Sequence, residues 1–241
     1  MIEAFGWAFL AASALLVGAA AGLALKVSRT MVGLALAFGA GALFSAVAYE
    51  LTADAFERGG VQLLTAGLAA GAVTFFIGNR LLTARGKARG QATVTHGSEG
   101  HGLPIVLGAM LDGIPESVVL GASLLGGGAV SPAFLVAVLR SNVPEGFSAS
   151  VDLKAEGRSP RWILGLWLGV VLVSASSAAL AFFLFDEMGP AVPFVQAFAA
   201  GGLLTMLVDT MIPEAFEDGG DLAGLVTVLG FALAFLLSAV T

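Results

Sequence analysis

Apolar and polar residues alternate along the chain in long blocks. Eight apolar stretches run about Ala4–Leu25, Met31–Phe56, Val61–Leu82, Leu103–Leu125, Pro132–Leu153, Trp162–Phe185, Ala191–Ile212 and Leu222–Val240. Each is close to the ~20 residues an α-helix needs to cross a ~30 Å hydrocarbon core. An outer-membrane barrel would show shorter runs alternating residue by residue, and these runs do not alternate. The pattern predicts an all-α membrane protein, with residues 1–241 forming one domain of eight transmembrane helices. The first stretch reads as a membrane helix rather than a cleavable signal, because it carries Glu3 and has no basic n-region. The polar stretch at 83–102 is predicted to be the loop between the third and fourth helices.

Composition narrows the class. Hydrophobic residues make up 58% of the chain and charged residues only 12%, against about a quarter in soluble domains. So few charges cannot cover a soluble globule, which excludes a soluble enzyme. The absence of cysteine excludes a disulfide-stapled secreted domain. With 17 acidic against 11 basic residues and no basic stripe, nucleic acid is not an expected partner. Lys26, Arg29, Arg80, Arg85, Lys87, Arg89, Lys154, Arg158 and Arg161 all fall on one side of the predicted topology. By the positive-inside rule that side is cytoplasmic. The 83–102 loop is then cytoplasmic and both termini face outward, in a multi-pass protein of the cell membrane.

The chain also repeats itself. Residues 39–60, GAGALFSAVAYELTADAFERGG, align without gaps on 199–220, AAGGLLTMLVDTMIPEAFEDGG, with eight identities. A second pair is DGIPES at 112–117 and SNVPEG at 141–146. Both pairs lie on helices predicted to run in opposite directions, the pattern of an inverted-topology repeat.

Asp112, Glu116 and Glu145 fall mid-stretch, hence at mid-bilayer depth. Each charge there costs about 2.5–3.5 kcal/mol on an insertion scale. Arg140 is the only cation at similar depth, so protons or a bound cation must balance the remaining charge. Asp112 and Glu116 are spaced i,i+4 and share a helix face, as do Ser141, Asn142 and Glu145. Pro115 and Pro144 precede the two glutamates and leave the carbonyls of Leu111 and Arg140 without helical donors. Oxygens freed at this depth are tolerated where they line a cavity or ion path. The reading is a metal site of Asp112, Glu116, Ser141, Asn142 and Glu145.

The two Pro-Glu motifs resemble the paired motifs of the ZIP (Zrt/Irt-like) metal transporters, usually written His-Asn-x-Pro-Glu-Gly. Ile-Pro-Glu-Ala at Ile212–Ala215 and the eight-helix pattern are similar to that family as well. The resemblance implies transport of Zn²⁺, Mn²⁺, Fe²⁺, Cd²⁺ or a similar ion by alternating access, in a homodimer surrounded by lipid, without an organic cofactor. It places Asp112 and Ser141 where the family has histidines, and Gly113 where it has asparagine. On that resemblance the chain reads as an atypical member lacking the membrane histidines. Its all-oxygen site suits hard cations such as Mn²⁺ and still admits Zn²⁺.

Glu50 and Asp54 toward one end of the second stretch, and Asp209 and Glu214 on the seventh, read as acidic vestibules on opposite sides of that site. His96 and His101 in the loop offer a weaker metal site. The alternative reading is a proton-coupled carrier of another solute using the same carboxylates. An intramembrane hydrolase is disfavoured because HExxH, GxSxG and membrane histidines are all missing; no enzymatic activity is expected.

Overall fold

The computed structural model of the chain describes residues 1–88, 113–114, 116–125, 128–130, 132–185 and 192–240. Among them every regular element is helical. The α-helices are α1 (Ile2–Ala24), α2 (Arg29–Ala46), α3 (Thr52–Ala88), α4 (113–114 and 116–123), α5 (Pro132–Ala155), α6 (Pro160–Phe185), α7 (Val192–Met206), α8 (Ile212–Gly219) and α9 (Ala223–Val240). Where they are described they overlap the apolar stretches, the fourth of which is described only from residue 113. One difference is that α3 continues to Ala88, past the expected start of the polar loop at Thr83. The rest of that loop, with His96 and His101, lies outside the described residues.

Helix ends follow local chemistry. The Ser28 hydroxyl accepts from the Met31 N–H at 3.2 Å and caps α2. Ser159 does the same for the Trp162 N–H at 3.3 Å, with Pro160 opening α6. Beyond α5, the N–H groups of Gly157 and Arg158 bond back to the carbonyls of Lys154 and Leu153, the Schellman arrangement that satisfies terminal carbonyls.

The sequence pattern does not announce two π-helical segments. Val47–Leu51 joins α2 to α3, and Leu207–Met211 joins α7 to α8. Each carries an acid, Glu50 or Asp209. Further along, the backbone breaks at Gly60 (φ 71°) and again at Gly220 (φ 64°), conformations open to glycine and costly for other residues. At both glycines the chain folds back. Gly33 lies against Gly219 and Gly59 against Pro193, so α2 runs antiparallel to α7–α8; beyond Gly60 the order reverses, with Gly67 against Ala197 and Gly71 against Phe198 and Gly202. After Gly220, α9 likewise returns alongside α2, with Gly41 against Thr227 and Phe231.

Among the described residues, four stretches are long and apolar enough to cross a membrane: Ile2–Ala24, Arg29–Leu81, Pro160–Leu184 and Val192–Ala239. The second, at 53 residues, would be about 80 Å long if straight. That exceeds twice the hydrocarbon thickness, and the break at Gly60 resolves the excess. Large apolar side chains such as Leu180, Phe183, Leu225, Val228 and Leu236 cover the outside. A soluble surface rarely carries so much exposed apolar area; with the apolar helices, it marks a membrane protein.

The interior is built from small residues, so helices approach closely. Buried alanines of α1, α2, α5 and α7 pack around Leu36, Leu43, Leu120, Leu203 and Leu207. A second cluster joins α1, α5 and α6 around Trp167, whose Nε1–H donates to the Ser150 Oγ at 2.8 Å. Both residues are inaccessible to solvent. The Ser150→Ala variant leaves that N–H without its partner and is expected to cost about 1 kcal/mol, read as a lower thermal midpoint in detergent; Trp167→Phe combined with Ser150→Ala should cost less than the separate losses added together.

Candidate functional site

The motif glutamates Glu116 and Glu145 fall on α4 and α5. Glu116 is buried, 4% exposed, and Glu145 is half-buried. α5 stays helical through Pro144, although proline removes the donor for the Arg140 carbonyl. Ser141 is fully buried, backs onto Gly39 of α2, and donates through its hydroxyl to the Val138 carbonyl at 3.0 Å. Its oxygen keeps lone pairs for another partner. Asn142 is also buried, but its Nδ2 donates to the Ala11 carbonyl of α1 at 3.2 Å. Half of this side chain therefore fastens α5 to α1, which leaves the amide oxygen for other work.

Gly113 on α4 faces α6, and a Cβ there would meet the Ser174 Oγ at 2.8 Å. Ser174 is itself buried. Asp112 and Pro115 lie outside the described residues. Among the described residues no group of three or more His, Asp or Glu side chains is gathered closely enough to hold a metal. Among the described residues named for this site, Glu116 and Glu145 supply two carboxylates, Ser141 a hydroxyl and Asn142 an amide.

The vestibule acids named from the sequence divide between the two ends of the bundle. At the α2 start, Arg29 bonds to Asp152 of α5, and Asp218 of α8 lies near Gly33. This links α2, α5 and α8 through charges that the sequence does not pair by spacing. Glu214 is half-buried and Asp209 exposed. At the opposite end, Asp54 accepts from the Arg58 Nε at 2.7 Å and from the Gln196 Nε2 of α7 at 2.9 Å. Glu50 sits one helical turn before Asp54, and neither of its carboxylate oxygens touches solvent or a hydrogen-bond donor among the described residues. Arg140 stands apart, with its guanidinium 5.1 Å from the centre of the Phe38 ring, a cation–π distance.

Gln196 and Ser174 are polar contributors that the motif reading does not single out. Gln196 is the only strongly polar residue of VPFVQAFAAGGLL at 192–204, and that isolation is a signal in itself.

Taken together, the fold and its interior define an all-helical membrane protein with carboxylates held among closely packed helices. No family model matches the chain. Over 177 residues it is 27% identical to a protein of Arabidopsis thaliana described as a "Putative zinc transporter". That alignment takes in 72% of this chain and 28% of the plant protein, so the chain corresponds to a minor part of its relative.

Proposed function

We propose that this protein carries divalent metal cations across a membrane, through a site between α4 and α5 formed by Asp112, Glu116, Ser141, Asn142 and Glu145. The observation that carries the reading is Glu116, a carboxylate 4% exposed within an apolar helical bundle. Burial of an ionisable group at such depth is expensive and is kept where ions pass. Buried Ser141 and Asn142 add oxygen donors on the neighbouring helix. The likeness to a protein named for zinc transport points the same way.

The finer topology belongs to the same proposal. Eight crossings result when the hairpins at Gly60 and Gly220 are each counted as two. An inverted repeat is supported by π segments at Val47–Leu51 and Leu207–Met211, each 160 residues from the other, the same offset as Gly60 and Gly220. In this scheme Glu50 and Asp54 stand on one side of the central site, and Asp209 and Glu214 on the other. Alternating access would move α4 and α5 past the paired hairpins, in a homodimer within the cell membrane.

Purified protein in liposomes, loaded with a metal-responsive dye, tests the reading. Influx of Mn²⁺, Zn²⁺, Cd²⁺ or Fe²⁺ that an external chelator stops is the expected result. Solute movement driven by a pH gradient and unaffected by chelators would replace it with a proton-coupled carrier.

A further inference from the structure

A cavity of about 200 Å³ lies at the Asp54 end of the bundle, away from Arg29 and Asp152. Its walls include Glu50, Asp54 and Arg58 from the α2–α3 hairpin, Ser123 of α4 and Gln196 of α7. A water molecule in the liquid takes up about 30 Å³, so the space admits an ion with several waters. The polar groups around it are incompletely satisfied. Both Glu50 oxygens and the Gln196 Oε1 are buried with no hydrogen-bond partner among the described residues. A buried carboxylate left in that state is costly unless something positive reaches it. Arg58 makes no hydrogen bond to it, and its Nε donates to Asp54 instead.

The charges suggest what completes the pocket. Glu50 and Asp54 bring two negative charges and Arg58 one positive. The Arg58 side chain is 55% exposed, so it can swing into solvent without being buried elsewhere. With Arg58 withdrawn, two carboxylates and an amide oxygen remain, a hard oxygen set suited to a divalent cation.

We propose that this cavity is a second, separate divalent-cation site, formed by Glu50, Asp54 and the Gln196 carbonyl oxygen, and that Arg58 competes with the cation for Asp54. This deepens the transport reading, on which its role as the place where a cation waits before reaching the α4–α5 site rests. Binding at the cavity does not depend on transport. Arg58 keeps Asp54 neutralised while the site is empty, and an arriving cation displaces it.

Mn²⁺ binding to the full chain in detergent, followed by electron paramagnetic resonance, tests the proposal. The background is Glu116→Gln/Glu145→Gln, which disables the central site. One Mn²⁺ per chain should still bind. Adding Glu50→Gln should weaken that binding about tenfold or more. Adding Arg58→Gln should tighten it about two- to fivefold, the scale of a partly exposed ion pair released. Gln196→Glu, which adds a carboxylate, should tighten it too and serves if Glu50→Gln does not fold. Opposite signs at Glu50 and Arg58 are not expected of residues that only support the fold. The proposal is overturned if the background binds no Mn²⁺, if none of the added substitutions changes binding, or if Arg58→Gln weakens it. Failure here with intact metal flux in the unsubstituted protein leaves the transport reading standing. Mn²⁺ binding at the cavity with no flux of any metal removes transport and leaves the site.

Discussion

Glu116→Gln is expected to lower divalent-metal flux into liposomes about a hundredfold or more, with the protein still folded. Glutamine has nearly the same volume and hydrogen-bonding reach, so the α4 packing around position 116 should survive, and a thermal midpoint near that of the unsubstituted protein would show it. What is lost is a full negative charge in a place where little water can substitute for it. Even indirect supports of a metal site typically cost 10- to 100-fold in affinity when removed, and a direct carboxylate ligand should cost at least as much. Glu145→Gln should act in the same direction but less severely, because Glu145 is half-buried and water can replace part of its charge. If both residues serve one ion, the double substitution should fall well short of the product of the single effects. Unchanged flux in the double variant would remove α4–α5 from the mechanism.

The second large effect is on stability. A Cβ on Gly71 would stand 1.8 Å from the Phe198 carbonyl oxygen, and one on Gly41 would stand 1.9 Å from that of Thr227. Both obstacles are backbone atoms in mid-helix, so no rotamer change relieves them, and whole helices must separate. Gly71→Val and Gly41→Val are each expected to cost about 3 kcal/mol or more, seen as loss of the folded, monodisperse protein in detergent. Gly78 lies on the same helix as Gly71 but has nothing within 4 Å of its would-be Cβ. Gly78→Ala should be tolerated, since alanine is favoured over glycine in helices. Equal damage from Gly78→Ala and Gly71→Val would mean that helix contact is not what Gly71 provides.

Much of this architecture is legible in the sequence, for identifiable reasons. Helix positions follow from length and hydropathy because lipid leaves the backbone few options. The Gly59-Gly60 and Gly219-Gly220 pairs that close the repeat mark where helices break, since positive φ depends on local chemistry. The burial of Glu116, Ser141 and Asn142 agrees with their placement at mid-stretch.

Other features depend on partners far along the chain. Nothing local sends the Asn142 amide to Ala11, pairs Arg29 with Asp152, or brings Gln196 to Asp54. The π segments also escape hydropathy. A one-residue widening of the helix leaves an all-round apolar stretch looking the same, and only the acid each one carries hints at it.

The matching π segments and glycine reversals give the molecule an internal control. A change at Glu57 can be compared with the same change at Glu217, and one at Phe56 with one at Phe216, in one polypeptide under identical expression and lipid. Where the two outcomes agree, the hairpin geometry is responsible. Where they diverge, the cause lies among the 14 of 22 aligned positions at which the copies differ, such as Arg58 in one and Asp218 in the other. That contrast makes the two ends of the bundle chemically unlike, a basic residue marking one and an acidic residue the other.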